Sequence, residues 1–493
     1  MKIFINNNYL ILFIKGDYKL NNNEIVSEFE NIVGPEFVSD KPEETYLYHY
    51  DFVTAEPEGK CDMVIMPNTA EEVQEIVKLA NKNKIPVVPW TSGINFGSTA
   101  TPLKGGIVVD LRRLNRIIEV NEDDMYIIIE GGATWADLLR YLGKHHPNLM
   151  AGITFSPPGT GVVASCLSYG MFNLGMLGGT GAEFINGLEV VLGSGELVKV
   201  GSCSLSDCWY GRQPLPDLAG LFIGWEGSTG IVTKAAIKLW PRLPFRKDFI
   251  LLGKSFDIGV PVLLKLSKAG LGIVDLFVFS YGWVQAGALG IYEKNVPPDP
   301  VKANLPDFVG FVTTQAYTEK QHEAQCEAIE TIYKEVGLME PPGGIDNPTA
   351  NLPMQAWGAW NSNRGGGGEW IGSYCSTRDI VKYYDLAKKI SLKHGHITQF
   401  YSRLLFGGHY CVSRFNINFN KNDPKEIESA RKVLKEIHDE VSSLDGVVMY
   451  KAPKWAHEVY KEKILPTTKE LMIKIKNLLD PNKIMNPGHG WGD

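Results

Sequence analysis

The sequence predicts an α+β fold with two or three packed regions. The chain has 493 residues, which is more than a single hydrophobic core usually serves. Its first half mixes short β-branched runs, set off by Gly, Asn and Asp, with amphipathic helical patterns, and strand and helix do not strictly alternate. Beyond about residue 245 glycine-rich turns become few, which predicts a second domain.

Local patterns predict the individual elements. VIMP and IPVV read as strands on either side of a helix, and Thr69 with Glu72 predicts a capping box at the start of that helix. A second helix is predicted to begin at Thr134. In the second region, apolar spacing predicts a long amphipathic helix over 424–442 and a last helix that runs into DPNKIMNPGHGW.

Composition excludes several classes of function. With 44% hydrophobic and 21% charged residues and a formal net charge of -7, the chain has no electrostatic reason to bind nucleic acid. Its seven cysteines contain no C-x-x-C pair, which indicates reduced thiols in a cytoplasmic protein without an iron-sulfur cluster of its own. The apolar run from Tyr9 to Ile14 is too short for a membrane span, and no signal-peptide cleavage pattern follows it.

Three glycine-rich stretches stand out in the first region. They are PVVPWTSGINFGSTATP at 86–102, the stretch 158–181 and the stretch 224–230. A pyrophosphate group needs several backbone N–H groups that point the same way, and glycine allows the bends and the close approach. One such stretch alone would read as an ordinary surface turn, but three in one region favour a dinucleotide site. No G-x-G-x-x-G is present in the first stretch, which disfavours a Rossmann site.

The order of these blocks resembles a known flavoprotein family. SGINFGS, VNEDDMYIIIEGGATWADLLRYL, LFIGWEGSTGIVTKAAIKLWPRLP and LLDPNKIMNPGHGW are similar to blocks of the FAD-linked oxidase family of vanillyl-alcohol oxidase and 4-cresol methylhydroxylase. They are similar more loosely to the FAD-linked glycolate and D-lactate dehydrogenases. The resemblance implies a PCMH-type FAD-binding domain of two α+β subdomains and an α+β cap domain with an antiparallel sheet. The expected division is a leader and first helix at 1–44, the FAD-binding domain at 45–245, the cap at 246–449 and a returning segment at 450–493.

The resemblance also implies which residues hold FAD. The expected cofactor-binding residues are Pro89, Thr91, Ser92, Gly93, Ile94, Asn95, Gly97, Ser98, Pro158, Gly159, Thr160, Gly161, Val162, Ser165, Gly178, Thr180, Gly227, Gly230, Ile231 and Asn486. Val412 and Ser413 stand where some family members carry a flavin-tethering histidine, so non-covalent FAD is expected. The metal-ligand clusters of the 2-hydroxy-acid dehydrogenases are absent from the corresponding places, and no metal is expected.

Catalytic candidates come from the same resemblance. Tyr450 and Lys451 occupy the place of a family Tyr-Arg pair that holds a phenolate or carboxylate, although a strand-end tyrosine followed by a solvated lysine explains them equally well. His409, Arg403 and Arg414 are further candidates, because SRLLFGGHYCVSR is the cap segment expected to face the flavin ring.

Other positions depart from the family of phenol oxidisers. Ser98 and Thr180 replace a tyrosine and an acidic residue that handle the phenol. Large rings cluster around Arg364 in the cap, and they can belong either to the core or to a substrate pocket. These rings are Trp357, Trp360, Trp370, Tyr374, Phe400 and Tyr401.

We therefore expect an FAD-dependent oxidoreductase that transfers hydride from a hydroxyl-bearing or conjugated carbon, of the aryl-alcohol or 4-alkylphenol type, to flavin N5. A 2-hydroxy-acid dehydrogenase of the lactate or glycolate type is the alternative within the enzyme class. A flavoprotein electron-transfer subunit of a larger complex is the alternative from another class. The expected partners are a small-molecule substrate and, as open alternatives, an electron-acceptor protein and a second copy of the chain.

Overall fold

The computed structural model describes residues 5–6, 9–10, 23–50, 59–94, 97–289, 305–342, 366–450 and 454–491. A short antiparallel pair, β1 (Ile5–Asn6) and β2 (Tyr9–Leu10), lies at the amino terminus, and three larger sheets follow along the chain. Within these ranges no helix combines the length and the apolar character that a bilayer span requires.

The first sheet has four strands in the order β3-β4-β6-β5. Its elements in chain order are α1 (Asn23–Val33), β3 (Val38–Ser39), α2 (Pro42–Thr45), β4 (Met63–Ile65), α3 (Ala70–Lys82), β5 (Val87–Trp90) and β6 (Ile107–Asp110). Strands β4 and β5 both run parallel to β6, and buried aliphatic side chains of α3 pack in the same core. Thr69 caps α3 as predicted, but the Glu72 carboxylate accepts from the backbone N–H of Asn68 and not from that of the cap residue.

The second sheet is antiparallel, in the order β11-β10-β12-β8-β7 with β9 beside β12. Its elements are β7 (Ile117–Asn121), β8 (Tyr126–Glu130), α4 (Trp135–His145), β9 (Leu149–Ala151), α5 (Val162–Leu167), α6 (Gly175–Gly178), β10 (Ile185–Val191), β11 (Leu197–Val200) and β12 (Ile231–Pro241). Helix α4 begins after Thr134, which forms a complete capping box with Asp137. This box satisfies two of the N–H groups that a helix start leaves without partners.

The cap is a seven-stranded antiparallel sheet in the order β13-β15-β14-β17-β18-β16-β19. Its elements are β13 (Phe245–Gly253), α7 (Phe256–Ser267), β14 (Ile273–Ser280), α8 (Tyr281–Leu289), β15 (Phe308–Ala316), α9 (Glu319–Lys334), β16 (Gly366–Cys375), α10 (Ile380–Lys393), β17 (Gln399–Leu405), β18 (Tyr410–Asn420), α11 (Pro424–Val441) and β19 (Val447–Tyr450). The helix predicted over 424–442 is α11. The α+β fold with an antiparallel cap sheet is confirmed.

One strand of the cap shows how the sheet separates its two faces. Phe415, Ile417 and Phe419 of β18 are buried in the cap core. Because successive side chains of a strand point to opposite faces, Arg414, Asn416 and Asn418 lie on the other face.

The chain ends by returning to the first sheet. Helices α12 (Lys454–Lys463) and α13 (Pro466–Leu479) lead to the last described residues, 480–491. There the N–H of Val87 donates to the carbonyl of Ile484 at 2.7 Å, and the N–H of Asn486 donates to the carbonyl of Val87 at 2.8 Å. The carboxy-terminal residues thus pair with β5, the strand that leads into the first glycine-rich stretch.

Candidate active site

A cleft lies between the glycine-rich loops of the first two sheets and the open face of the cap sheet. The loop side contributes Pro89, Thr91, Ser92, Gly93, Ile94, Thr99, Ala100, Thr154, Phe155, Ser156, Thr160, Ser165, Glu226, Gly227 and Gly230. The cap side contributes Trp283, Gly368, Glu369, Trp370, Tyr401, Arg414, Asn416 and Asn418. Loops of the first two sheets therefore face the cap sheet across one cleft.

The first loop leaves β5 in a conformation that requires glycine. Gly93 has φ +63°, and a Cβ atom there would lie 2.5 Å from the Trp90 ring. The guanidinium of Arg112 lies 4.9 Å from the centre of the same ring and packs over it. The indole ring therefore constrains the path of the backbone past Thr91 and Ser92. Gly93 has no side chain, so its backbone is directly accessible in the cleft.

The second loop packs directly on the first. The N–H of Gly161 donates to Ser92 Oγ at 3.4 Å, and a Cβ atom on Gly161 would come within 2.9 Å of Thr91 Oγ1. Thr160 lines the cleft, and its buried Oγ1 has no hydrogen-bond partner in the described part of the chain. A buried hydroxyl without a partner is costly, so this position suits a polar group of a bound ligand.

The third loop, 224–230, closes the loop side of the cleft. Gly227 has φ +75°, and a Cβ atom there would lie 2.4 Å from the Pro89 side chain. The buried Asn486 joins the first and third loops, because its Nδ2 donates to the carbonyls of Thr99 and Glu226. The three glycine-rich stretches of the sequence thus converge, as a dinucleotide site requires.

On the cap side, Arg414 lies among aromatic rings. Its guanidinium is 4.3 Å from the centre of the Trp370 ring, and its Nη1 donates to the Tyr401 hydroxyl at 3.3 Å. The strand register places Gly372 opposite Arg414 and Tyr450 opposite Gly372. Directly opposed residues of antiparallel strands share a face of the sheet, so position 450 belongs to the row of Arg414.

Several expected cofactor residues line the cleft, and others lie behind it. Pro89, Thr91, Ser92, Gly93, Ile94, Thr160, Ser165, Gly227 and Gly230 line it. The residues outside the lining are Gly97, Ser98, Pro158, Gly159, Gly161, Val162, Gly178, Thr180, Ile231 and Asn486. Asn95 lies outside the described residues. Thr180 instead pairs with Glu183, and a Cβ atom on Gly178 would lie 2.0 Å from the Phe184 ring, so both positions have packing roles.

Arg403 does not line the cleft. It is fully buried, its Nε lies 3.1 Å from Asp275 Oδ1, and its Nη1 donates to the carbonyl of Met171 at 3.2 Å. Burial raises the pKa of Asp275 to about 7, although Arg403 opposes that shift, and burial lowers the pKa of Arg403. Arg403 therefore joins the cap sheet to the loop that carries Met171, and we no longer treat it as a catalytic candidate.

His409 also lies away from the cleft. It is exposed and follows the turn Phe406–Gly408 that joins β17 to β18. The segment expected to face the flavin is two strands with a turn between them, and the turn packs beside α6 and α7 and not beside the cleft. His409 therefore does not line the cleft, contrary to the expectation for a catalytic residue. Lys451 lies outside the described residues, as do Trp357, Trp360 and Arg364.

The aromatic cluster of the cap divides between core and cleft. Trp370 and Tyr401 line the cleft, whereas Phe400 belongs to the cap core. Tyr374 contacts Tyr169 with ring centres 6.2 Å apart.

Sequence reasoning missed several polar residues of the cleft. They are Thr154, Ser156, Glu226, Glu369, Asn416 and Asn418. The alternation in RFNINFN, residues 414–420, was a usable signal, because it places Arg and Asn on one face and Phe and Ile on the other. Across the described ranges, no group of three or more His, Cys, Asp or Glu side chains is arranged to hold a metal ion.

Comparison with known proteins agrees with this geometry. Residues 61–201 match the family described as FAD binding domain, and residues 378–489 match the family described as FAD linked oxidases, C-terminal domain. The chain belongs to the FAD-linked oxidoreductases. It therefore uses FAD as its cofactor and acts on CH-OH or CH groups, as the resemblance implied.

The names of relatives of this FAD-linked oxidoreductase refer to several different substrates. The chain is 24% identical to the 4-cresol dehydrogenase [hydroxylating] flavoprotein subunit of Pseudomonas putida, with 96% of each chain covered. It is also 24% identical to the glycolate oxidase subunit GlcD of Bacillus subtilis, with 94% of this chain and 96% of the relative covered. These names leave the substrate open.

Solved structures show the fold of the FAD-linked oxidoreductase. p-Cresol methylhydroxylase with substrate bound superimposes with a TM-score of 0.83 at 20% identity, over 95% of this chain and 96% of the other. The isoeugenol complex of 4-ethylphenol oxidase from Gulosibacter chungangensis gives 0.79 at 21% identity, over 95% and 97%. The predicted PCMH-type fold is confirmed.

Proposed function

We propose that this FAD-linked oxidoreductase oxidises an aromatic alcohol or a 4-alkylphenol. The observation that carries the proposal is the position of Arg414, a cation on an aromatic-lined face of the cleft. The rings of Phe155, Trp283, Trp370 and Tyr401 offer apolar surface that a planar substrate can cover and that excludes water from it.

Two polar groups near these rings suit a substrate hydroxyl. Trp283 Nε1 and Asn416 Oδ1 are buried and have no hydrogen-bond partner in the part of the chain that the structure describes. One is a donor and the other an acceptor, and a hydroxyl group can satisfy both. Both residues line the same cleft, and the Trp283 ring centre lies 5.9 Å from that of Tyr401.

The chemistry needs charge stabilisation at the substrate oxygen. FAD, when bound, supplies the acceptor for the hydride. In the oxidation of an alcohol or phenol the C–H hydrogen would leave as hydride to FAD and the O–H proton would pass to solvent, and Arg414 stabilises the negative charge on the oxygen in a site of low dielectric constant. Tyr401 orients the guanidinium by accepting its Nη1 hydrogen bond. We propose that Tyr450 and Lys451 assist at the same oxygen, because position 450 shares the row of Arg414.

Anaerobic reduction of the bound flavin tests the substrate class. The enzyme is mixed with 4-hydroxybenzyl alcohol or 4-ethylphenol in one arm and with D-lactate or glycolate in the other, and loss of visible flavin absorbance is followed. The proposal expects reduction in the first arm and none in the second. Reduction by the hydroxy acids alone would overturn it.

The same guanidinium supports a second candidate, a 2-hydroxy-acid dehydrogenase. Arginine binds carboxylates well, and the relatives include the glycolate oxidase subunit and a D-lactate dehydrogenase from Arabidopsis thaliana. The aromatic lining is the reason for preferring the first candidate, because a small hydroxy acid leaves that apolar surface uncovered.

Finer properties belong to the proposal as well. We propose non-covalent FAD, because Val412 and Ser413 offer no nucleophilic histidine at the position of the tether. Acid precipitation should then release all the flavin, and retention in the pellet would contradict this.

We also propose a cytoplasmic enzyme of the vanillyl-alcohol oxidase type that passes electrons to an acceptor protein, as the name flavoprotein subunit of the cresol relative suggests. Co-purification of such a protein, and the mass of the native assembly, test these points.

A further inference from the structure

We propose that residues 480–491, which we call the carboxy-terminal strap, orient backbone N–H donors toward the pyrophosphate of FAD, and that Asn486 is the positioning residue of this strap. The inference concerns cofactor affinity and does not depend on the identity of the substrate. It rests on a series of contacts that begin in helix α13 and end at the lining of the cleft.

The strap is fixed at its start by a buried ion pair. Lys476 is 1% exposed, and its ammonium group pairs with Asp480 and donates to the carbonyls of Ser228 at 2.6 Å and Met485 at 3.0 Å. The Asp480 carboxylate in turn accepts from the N–H groups of Ile484 and Met485, at 3.1 and 2.9 Å. The first turn of the strap is therefore held without help from solvent.

Asn486 then joins two cofactor loops through one amide group. Its Nδ2 donates to the carbonyl of Thr99 at 2.9 Å and to that of Glu226 at 2.6 Å. The side-chain amide has two hydrogens, so both are used. Asn486 has φ +40°, in the left-handed region that asparagine tolerates better than most residues.

The orientation of these two carbonyls fixes two N–H groups of the cleft. In a planar trans peptide the C=O and the N–H of the next residue point in opposite directions. The carbonyls of Thr99 and Glu226 face the strap, so the N–H groups of Ala100 and Gly227 face away from it. Both residues line the cleft, and neither N–H donates a hydrogen bond within the described part of the chain. Two such donors suit an anionic group of a ligand.

The rest of the strap stabilises the third loop in an energetically unfavourable backbone conformation. Glu226 has φ +55°, which is costly for a residue with a Cβ atom. The N–H of Gly490 donates to Glu226 Oε2 at 3.1 Å, and Trp491 Nε1 donates to the carbonyl of Gly224 at 3.0 Å. Without the strap this loop would relax, and the Gly227 N–H would lose its orientation.

The variant Asn486→Asp tests the proposal with little change in volume. It replaces the donor by a carboxylate that faces two carbonyl oxygens. The matched control is Asn482→Asp, because Asn482 lies in the same strap but donates only to the half-buried Asn81 side chain, at 2.8 Å in a solvent-exposed hydrogen bond. The dissociation constant of FAD is measured by titrating flavin-free protein and following flavin fluorescence, together with the visible circular dichroism of the bound flavin.

The expected result is an increase of at least about tenfold in the FAD dissociation constant for Asn486→Asp, with an altered dichroism spectrum, since charge-assisted contacts of this kind contribute about 1.4 kcal/mol or more. The control should stay within about twofold of the unchanged protein. An Asn486→Asp protein that binds FAD with unchanged affinity would overturn the proposal.

A purely structural role is distinguished by the unfolding of the flavin-free protein. If Asn486 only stabilised the fold, its substitution would lower the urea midpoint while the folded fraction bound FAD normally, and the proposal would fail. If Asn486→Asp does not fold, Asn486→Ala is tested in the same way, because it removes the donor without adding charge. None of these measurements uses a substrate, so their outcome is independent of the proposed reaction.

Discussion

Replacing Arg403 by Met should destabilise the enzyme in a way that depends strongly on pH. The substitution keeps most of the side-chain volume and removes the cation beside Asp275. Asp275 would then be a fully buried carboxylate whose neighbouring cation has been lost. Removing one partner of a buried ion pair typically lowers the unfolding free energy by about 3–5 kcal/mol.

The pH profile follows from the pKa of Asp275. Burial raises that pKa from 3.8 to about 7, so the carboxyl's contribution to stability is complete below about pH 3.8 and is lost as the pH rises through 7. Removing Arg403 raises the pKa further, and the loss then continues above pH 7. At about pH 5 the carboxyl is protonated with or without Arg403, and the variant should lose only about 1 kcal/mol, mainly the hydrogen bond to the carbonyl of Met171. At about pH 9 the cost should approach 3–5 kcal/mol.

Urea unfolding of the holoenzyme at these two pH values measures the effect. Lys265→Met is the control, because Lys265 pairs with Glu335 at 3.2 Å on the exposed surface of the same domain and should cost less than about 1 kcal/mol at either pH. The double variant Arg403→Met/Asp275→Leu should recover much of the loss, since apolar pairs often replace buried ion pairs without cost. An equal cost for Arg403→Met at both pH values would refute the role assigned to Asp275.

Three further outcomes are expected. Lys476→Met should lower the unfolding free energy by about 3–5 kcal/mol, because it breaks the buried ion pair with Asp480. The control Lys474→Met removes an exposed pair with Glu470 and should change the unfolding free energy by less than about 0.5 kcal/mol. Equal urea midpoints for the two variants would contradict the importance of the buried pair. Arg414→Gln should lower kcat/KM for the aromatic substrate by about 100-fold, because it removes the cation that stabilises the substrate oxygen. The control Arg378→Gln lies on the exposed surface and should leave kcat/KM unchanged. A loss of kcat/KM in both variants would indicate a general effect on folding. His409→Ala should keep kcat/KM within about twofold, and a large loss would show that His409 takes part in catalysis.

The loop side of the cleft was largely predictable from the sequence. Thr91, Gly93 and Gly227, which the sequence predicts to hold FAD, line one cleft, because local backbone requirements can be recognised in consecutive residues. Two residues that were expected to bind FAD have packing roles instead. Gly178 and Thr180 occupy a glycine-rich stretch but pack against Phe184 and Glu183, since glycine also serves close packing.

The cap side was less predictable, because it depends on strand pairing between distant segments. Arg403 and Arg414 both come from the segment expected to face the flavin, yet only Arg414 lines the cleft. Strand alternation separates Arg414 from its core neighbours, but it cannot show that Arg403 meets Asp275, which lies more than a hundred residues earlier. His409 illustrates the same limit, since a two-strand hairpin and a single strand read alike in SRLLFGGHYCVSR.

The alternation of β18 also bears on how such an enzyme can change its specificity during evolution. Arg414, Asn416 and Asn418 face the cleft, while Phe415, Ile417 and Phe419 hold the cap together from the opposite side of the same strand. Substitutions at the three polar positions can therefore alter the chemistry offered to a substrate without opening cavities among the three apolar ones. A library restricted to positions 414 and 416 would sample new substrates and keep the buried hydrogen bond from Asn418 to Gln399.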